Sequence, residues 1–503
     1  MDSLDNLRDH FGTTALLSTT MATLEWDERT GLPAEGASYR ADQITLLSGM
    51  IHARRTDVRI GEWLDDVEAS LSTLPEEKRS LTKAAHRCWK KDYLRDTRLP
   101  QSLVEALARA ITLGQNAWSV ARPKNDYASF VPHLREIIRL RREEASLLKT
   151  TEAPLYDVLL DQYEEGASSA QIQLVFDELK KPLVELVQSL LDSPTPPTGE
   201  WLSRYYPLDQ QRAASRWIAE QIGFDFNRGR LDITDHPFCT TLGPSDHRIL
   251  TRYFEENVSS GFFGTLHEAG HGLYEQGLPV DWFGMPPGQP ASLGVHESQS
   301  RLWENLVGRS RSFWDWGLPQ LQKLFPHVLD GCDVDSLFRD MNRVSRSLVR
   351  VEADEATYNL HVLIRFELEQ ALVSGSLSVE ELPSAWNDKY ENYLGVRPTN
   401  DADGVLQDVH WSAGLFGYFP TYTLGNIYAA QLFESVTDDL GSMETSFAKG
   451  EFRPLLQWLR TKIHSHGRNL LPRELIMQAT GKEISSQPLM KYLSQKLKDV
   501  YRL

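Results

Sequence analysis

Apolar residues recur at intervals of three and four along most of the chain, the spacing that lines one face of an α-helix. Leu103, Leu107, Ala110 and Ile111 form one such stripe; it starts at Ser102 with Glu105 three residues on, a capping box, and Pro123 marks its outer limit. A second stripe through Leu134, Ile137, Ile138, Ala145 and Leu148 predicts a helix near 130–148. A third carries Ile172, Val175, Phe176, Leu179, Leu183, Leu186 and Leu190, with Pro182 as an expected kink. SPTPPTGE, residues 193–200, reads as a loop that either separates domains or joins two helices. The stretch 229–253 departs from this pattern. RLDIT, CTTL and RILTRY are short β-prone runs around a Gly243-Pro244 turn, and they predict a small antiparallel ribbon inside a mainly α protein.

Length, charge and cysteine usage narrow the class. A chain of 503 residues suggests about three units at roughly 150 residues each, or one large fold of two lobes. Lys and Arg number 53 against 70 Asp and Glu, a net charge of −17, which argues against a duplex nucleic-acid binder and against anchoring on an anionic membrane. Cys88, Cys239 and Cys332 stand apart with no Cys-x-x-Cys spacing, so no disulfide framework is expected. The N-terminal residues lack the apolar core of a signal peptide, and no apolar run approaches the length of a membrane span. A cytoplasmic protein is the expectation.

One motif carries chemistry: His267-Glu268-Ala269-Gly270-His271. Residues four apart on a helix stand one turn above the other, so two imidazoles converge on one ion. Ser259 or Ser260 can cap this helix, and Gly277 with Pro279 ends it. At about 100° per residue, Phe262, Leu266, Ala269 and Leu273 share one face and His267, Glu268 and His271 take the opposite one. Catalytic zinc takes three protein ligands and leaves a position for water, and Glu268 is placed to accept a proton from that water. The third ligand must come from elsewhere. Glu275 is eight residues past His267 and Asp281 follows too soon after Gly277. Glu297, 26 residues after His271 at the start of a second expected helix, is the better candidate, with Glu304 as its rival two turns on.

Further motifs occur in order along the chain: His236-Pro237-Phe238; Asp246-His247-Arg248, with Leu250 and then Thr251 after it; Gly272-Leu273-Tyr274-Glu275-Gln276; His296-Glu297-Ser298; Arg350-Val351-Glu352-Ala353-Asp354; and Gly404 through Gln407-Asp408-Val409-His410-Trp411. With the metal motif they resemble the carboxypeptidase Taq family of metallocarboxypeptidases over essentially the whole chain. The resemblance implies release of single amino acids from the free C-terminus of peptides, with a divalent ion, zinc or alternatively cobalt, held by His267, His271 and Glu297, and with Glu268 as base. It implies a mainly helical, two-lobed fold around a deep groove, similar to neurolysin and angiotensin-converting enzyme. A single catalytic domain over 1–503 and a homodimer follow from it as well.

Arg350 looks like the group that holds the substrate carboxylate, since a planar guanidinium can donate two parallel hydrogen bonds to it. Its stretch reads as a helix, in which Asp354 is the competing partner at i+4. His410 and Tyr422 are candidates for stabilising the tetrahedral transition state, and Tyr418 is a rival. Arg248 and His236 are candidates for contacts with the peptide. An endopeptidase on the same scaffold would lack the carboxylate clamp, and a non-catalytic peptide binder would lack a ligand or Glu268.

Overall fold

The apolar stripes become helices in the computed structural model, which describes residues 2–503 apart from the side chain of Glu77, and 68% of the chain is helical. The first three stripes form α1 (Gln101–Lys124), α2 (Tyr127–Leu148) and α3 (Ser169–Leu191). No capping box forms at Ser102. Pro100 precedes the helix with its φ already suited to a start, and Glu105 instead accepts a hydrogen bond from the Gln101 side chain at 2.7 Å. Helix α3 runs through Pro182 without interruption.

The β-prone runs form β1 (Gly229–Ile233), β2 (Phe238–Gly243) and β3 (Asp246–Thr251). The expected antiparallel ribbon is a mixed three-stranded sheet in the order β1-β3-β2. The Gly243-Pro244 turn sends β3 back antiparallel to β2, and β3 inserts beside β1, which therefore runs parallel to it with Leu231 opposite Ile249.

The metal motif lies on α4 (Val258–Gly277), which starts one residue before the expected serines because Asn257 is the cap, its side chain accepting from Ser260 N–H at 3.2 Å. Gly277 ends it as predicted. Phe262, Phe263, Leu266, Ala269 and Leu273 are buried, with Phe262 against the rings of Phe313 and Trp314; each large side chain so buried contributes about 1.5–3 kcal/mol. The next helix, α5 (Leu293–Arg301), is capped by Ser292 and passes directly into a π-helical stretch, Leu302–Val307. Two later helices matter for the site: α6 (Thr357–Ser374), buried almost all round, and α7 (Pro420–Leu440).

By contact the chain divides into two compact units. One comprises Met1–Thr97, Gly199–Met341 and Leu432–Glu483; the other comprises Arg98–Thr198, Asn342–Gln431 and Ile484–Leu503. A boundary thus falls inside SPTPPTGE, between Thr198 and Gly199. The sheet, α4 and α5 belong to the first unit. Arg350, α6, His410 and Tyr422 belong to the second. Among the described residues no helix is long and apolar enough to cross a membrane.

Candidate active site

Glycine brings the first unit's candidate ligands together. A Cβ at Gly270 would come within 2.7 Å of the Gln299 carbonyl and of Ser300 Cα, so α4 and α5 pack backbone to backbone at this point. The close crossing sets Glu297 opposite the two histidines: its Oε2 is 3.7 Å from His267 Nε2 and 3.6 Å from His271 Nε2, and the three donor atoms lie within 4.8 Å of one another. Bonds of about 2.1 Å at a tetrahedral ion place their donor atoms about 3.4 Å apart, so two imidazole nitrogens and one carboxylate oxygen at these separations fit a divalent ion.

Neighbouring charges hold this set in place. Glu304 accepts from His267 Nδ1 at 2.9 Å, so the two acids weighed for the third ligand divide one imidazole between them, Glu297 at Nε2 and Glu304 at Nδ1. Arg301 donates to Glu297 Oε1 at 2.7 Å and to Glu304 Oε2 at 3.1 Å, which leaves Glu297 Oε2 to face the histidines. Burial pushes the Glu304 carboxyl up, but Arg301, His267 and Arg309 outweigh it and hold the group well below the usual carboxylate range. Burial likewise lowers His267, yet Glu297 and Glu304 raise it on balance; the acids favour a cation at that imidazole. His271 is pushed well below its ordinary value by burial, with His296, His267 and Arg301 adding to the effect, and its imidazole is neutral.

Glu268 is buried, 6% exposed, and makes no hydrogen bond among the described residues. Burial pushes its carboxyl up to about 7 against the pull of His267, and Glu297 and Glu304 add to the rise. A carboxyl balanced near neutrality and free of partners is suited to taking and returning a proton.

In the second unit Arg350 departs from the expected helix. It lies in a single turn, Arg350–Glu352, because α6 begins only at Thr357. Nor does it pair with Asp354. That carboxylate accepts from the backbone N–H of Ser345, Ala356 and Thr357 and from the Thr357 hydroxyl, meeting the unsatisfied donors at the start of α6. Arg350 instead donates to Asp408 through Nε at 3.1 Å and Nη2 at 2.8 Å, and to the Tyr358 hydroxyl through Nη1 at 2.8 Å. Arg365 reaches the same carboxylate at 2.6 Å. Both guanidiniums are buried, so two cations share one directly bonded anion.

His410 Nε2 is 3.2 Å from the Tyr422 hydroxyl, and the Tyr418 ring stands edge-on to Tyr422 with centroids 5.4 Å apart. Burial pushes His410 down to about 3, Arg350 and Arg365 reinforcing this against Asp408, so its imidazole is neutral. The Tyr422 ring centroid lies 5.1 Å from the Arg350 guanidinium carbon. Arg350, Asp408, His410, Tyr418 and Tyr422 therefore form one cluster.

Among the described residues neither Arg248 nor His236 makes a hydrogen bond or ion pair with His267, His271 or Glu297. Arg248 makes a two-pronged pair with Asp246 at 2.9 Å and stacks 4.0 Å over Trp26. His236 is exposed in the turn between β1 and β2. Sequence reasoning missed Arg301, the partnership of His296 with His271, and Asp408 with Arg365. Arg365 had a usable signal, as a lone cation in the apolar run LHVLIRFEL.

The chain is similar to known proteins over nearly its whole length. The family model described as carboxypeptidase Taq (M32) metallopeptidase matches residues 6–497. Thermostable carboxypeptidase 1 of Thermus thermophilus is 45% identical over 99% of this chain and 98% of its own length, and carboxypeptidase 1 of Bacillus subtilis is 38% identical over 97% and 96%. The crystal structure of an M32 carboxypeptidase from Deinococcus radiodurans superposes with a TM-score of 0.95 at 39% identity, covering 100% of both chains.

Proposed function

The chain belongs to the carboxypeptidase Taq (M32) family of metallopeptidases, and from that premise we propose that it removes single residues from the free C-terminus of peptides. One observation carries the hydrolytic part. On one helix, α4, Glu268, a buried carboxylate without a hydrogen-bond partner among the described residues, follows His267 and precedes His271, two imidazoles whose Nε2 atoms converge with Glu297 Oε2. His267, His271 and Glu297 hold the ion, zinc first and cobalt as the alternative. A divalent ion bound there supplies Lewis acidity toward the scissile carbonyl and the attacking water. Glu268 takes the proton of that water on a carboxylate oxygen and passes it to the leaving amine nitrogen.

The exopeptidase part rests on the second unit's cluster. Asp408 and Tyr358 engage three of the five N–H groups of Arg350, and among the described residues a buried positive charge remains without a directly bonded anion. We assign that charge to the substrate's terminal carboxylate. Tyr422 donates its hydroxyl proton to the developing oxyanion, with His410 Nε2 orienting it, and Tyr418 flanks the bound residue. Arg248 and His236 are further candidates for contact with the peptide substrate. Residues 1–503 act as one catalytic domain and the protein works as a homodimer in the cytoplasm; among the described residues Cys88, Cys239 and Cys332 form no disulfide, and sedimentation measures the oligomer. Comparing one peptide as free acid and as C-terminal amide tests the function.

A further inference from the structure

Glu275 lies one turn beyond His271 on α4, outside the converging set of His267, His271 and Glu297, and its contacts give it another task. His271 Nε2 converges with His267 Nε2 and Glu297 Oε2, and a ligating nitrogen must offer its lone pair, so the ring proton of His271 sits on Nδ1. That nitrogen is 2.5 Å from His296 Nδ1. Two ring nitrogens at this distance share one proton, so His296 Nδ1 is the acceptor and its own proton is on Nε2. His296 Nε2 lies 2.9 Å from Glu275 Oε1. The other oxygen of Glu275 accepts from the Thr241 hydroxyl at 2.9 Å, and His247 Nδ1, 3.1 Å from that hydroxyl, donates to it. Every proton along the row from His271 to His247 points toward Glu275.

The geometry points to Glu275 as a positioning residue that, through His296, fixes the tautomer and ring orientation of His271. The inference rests on the metal reading above and deepens it. The two histidines are then steered by carboxylates at different range, His267 directly by Glu304 and His271 through an intervening imidazole. Carboxylates behind ligating histidines typically contribute a factor of about 10–100 in metal affinity. A competing acceptor is present, because the backbone carbonyl of His296 also faces the His271 ring.

The test is zinc titration of the metal-free full-length protein against a competing chelator, with the metal-free thermal melt as control. Glu275 borders a cavity of about 500 Å³, so Glu275→Gln has room. This variant is expected to bind zinc about 10–100-fold more weakly with an unchanged metal-free melt, and Glu275→Asp to recover part of the loss. Binding within about threefold of wild type would overturn the inference and leave the tautomer to the His296 carbonyl. Should Glu275→Gln lose its cooperative melt, His296→Phe takes its place, with the same expected loss and the same overturning result. Failure of the wild-type protein to bind zinc would instead sink the metal reading, and this inference with it.

Discussion

The Tyr422 hydroxyl lies 3.2 Å from Nε2 of a half-buried, neutral His410, so in the proposed mechanism the two side chains meet at one oxygen atom. Removing that hydroxyl in Tyr422→Phe is expected to lower kcat by about a hundredfold with little change in KM, the usual loss of one oxyanion donor. Once the hydroxyl is gone, His410→Ala has nothing left to orient. The double variant should therefore turn over within about threefold of the worse single one. Steady-state kinetics of the three variants decides this, and multiplicative losses would mean separate roles.

Arg350 and Asp408 divide binding from stability. Arg350→Gln is expected to lower kcat/KM for peptides with a free C-terminus by about a hundredfold, about 3 kcal/mol. Asp408→Asn leaves two buried guanidiniums without their shared anion and should lower unfolding free energy by about 3–5 kcal/mol. Kinetics on the first variant and denaturant titration of the second check the division.

Gly270 is a point of close approach between α4 and α5, the two helices that carry the proposed ligands. Gly270→Ala forces a methyl group against the backbone of Gln299 and Ser300, and should cost about 1–3 kcal/mol and weaken metal binding together. Gly12, on the N-terminal helix Ser3–Thr30 with open space around its Cα, is the control. Gly12→Ala should stabilise by about 0.5–1 kcal/mol with metal affinity unchanged.

His464 gives a pH dependence of known sign. It is buried with Nε2 2.9 Å from Gln299 Oε1, and burial, helped by Arg460 and His296, pushes it from 6.5 down to about 3. The unfolded chain therefore takes up a proton between pH 6.5 and 3 that the folded chain refuses. The stability this group contributes is complete above 6.5 and falls on acidification, by at most about 1.4 kcal/mol per pH unit. His464→Gln keeps a donor toward Gln299 and should show a shallower fall across that window in denaturant midpoints.

The C-terminal end of α4 and the placement of its motif were legible because they depend on local pattern: Gly277 stops the helix, and the burial of Phe262, Leu266, Ala269 and Leu273 follows from the 3.6-residue period. Details set by competition between near neighbours were less so. Asn257 outbids Ser259 and Ser260 for the cap, and Pro100 displaces the box at Ser102. Contacts across long separations left no periodic trace. Asp408 is 58 residues from Arg350, and the sequence offered the nearer Asp354, which the first turn of α6 consumes. Glu297 and Glu304 sit on one face seven residues apart, so only the distances to Nε2 and Nδ1 of His267 separate ligand from orienting partner.

The central claim is tested most directly by one N-blocked peptide offered as free acid and as C-terminal amide to the metal-loaded protein, with products followed by mass over time. The account predicts loss of one residue after another from the C-terminus of the acid and no cleavage of the amide. It also predicts turnover lower by about 10²–10⁴ in Glu268→Gln, which still binds the metal. Cleavage of the amidated peptide at an internal bond, or near-normal turnover by Glu268→Gln, would contradict it.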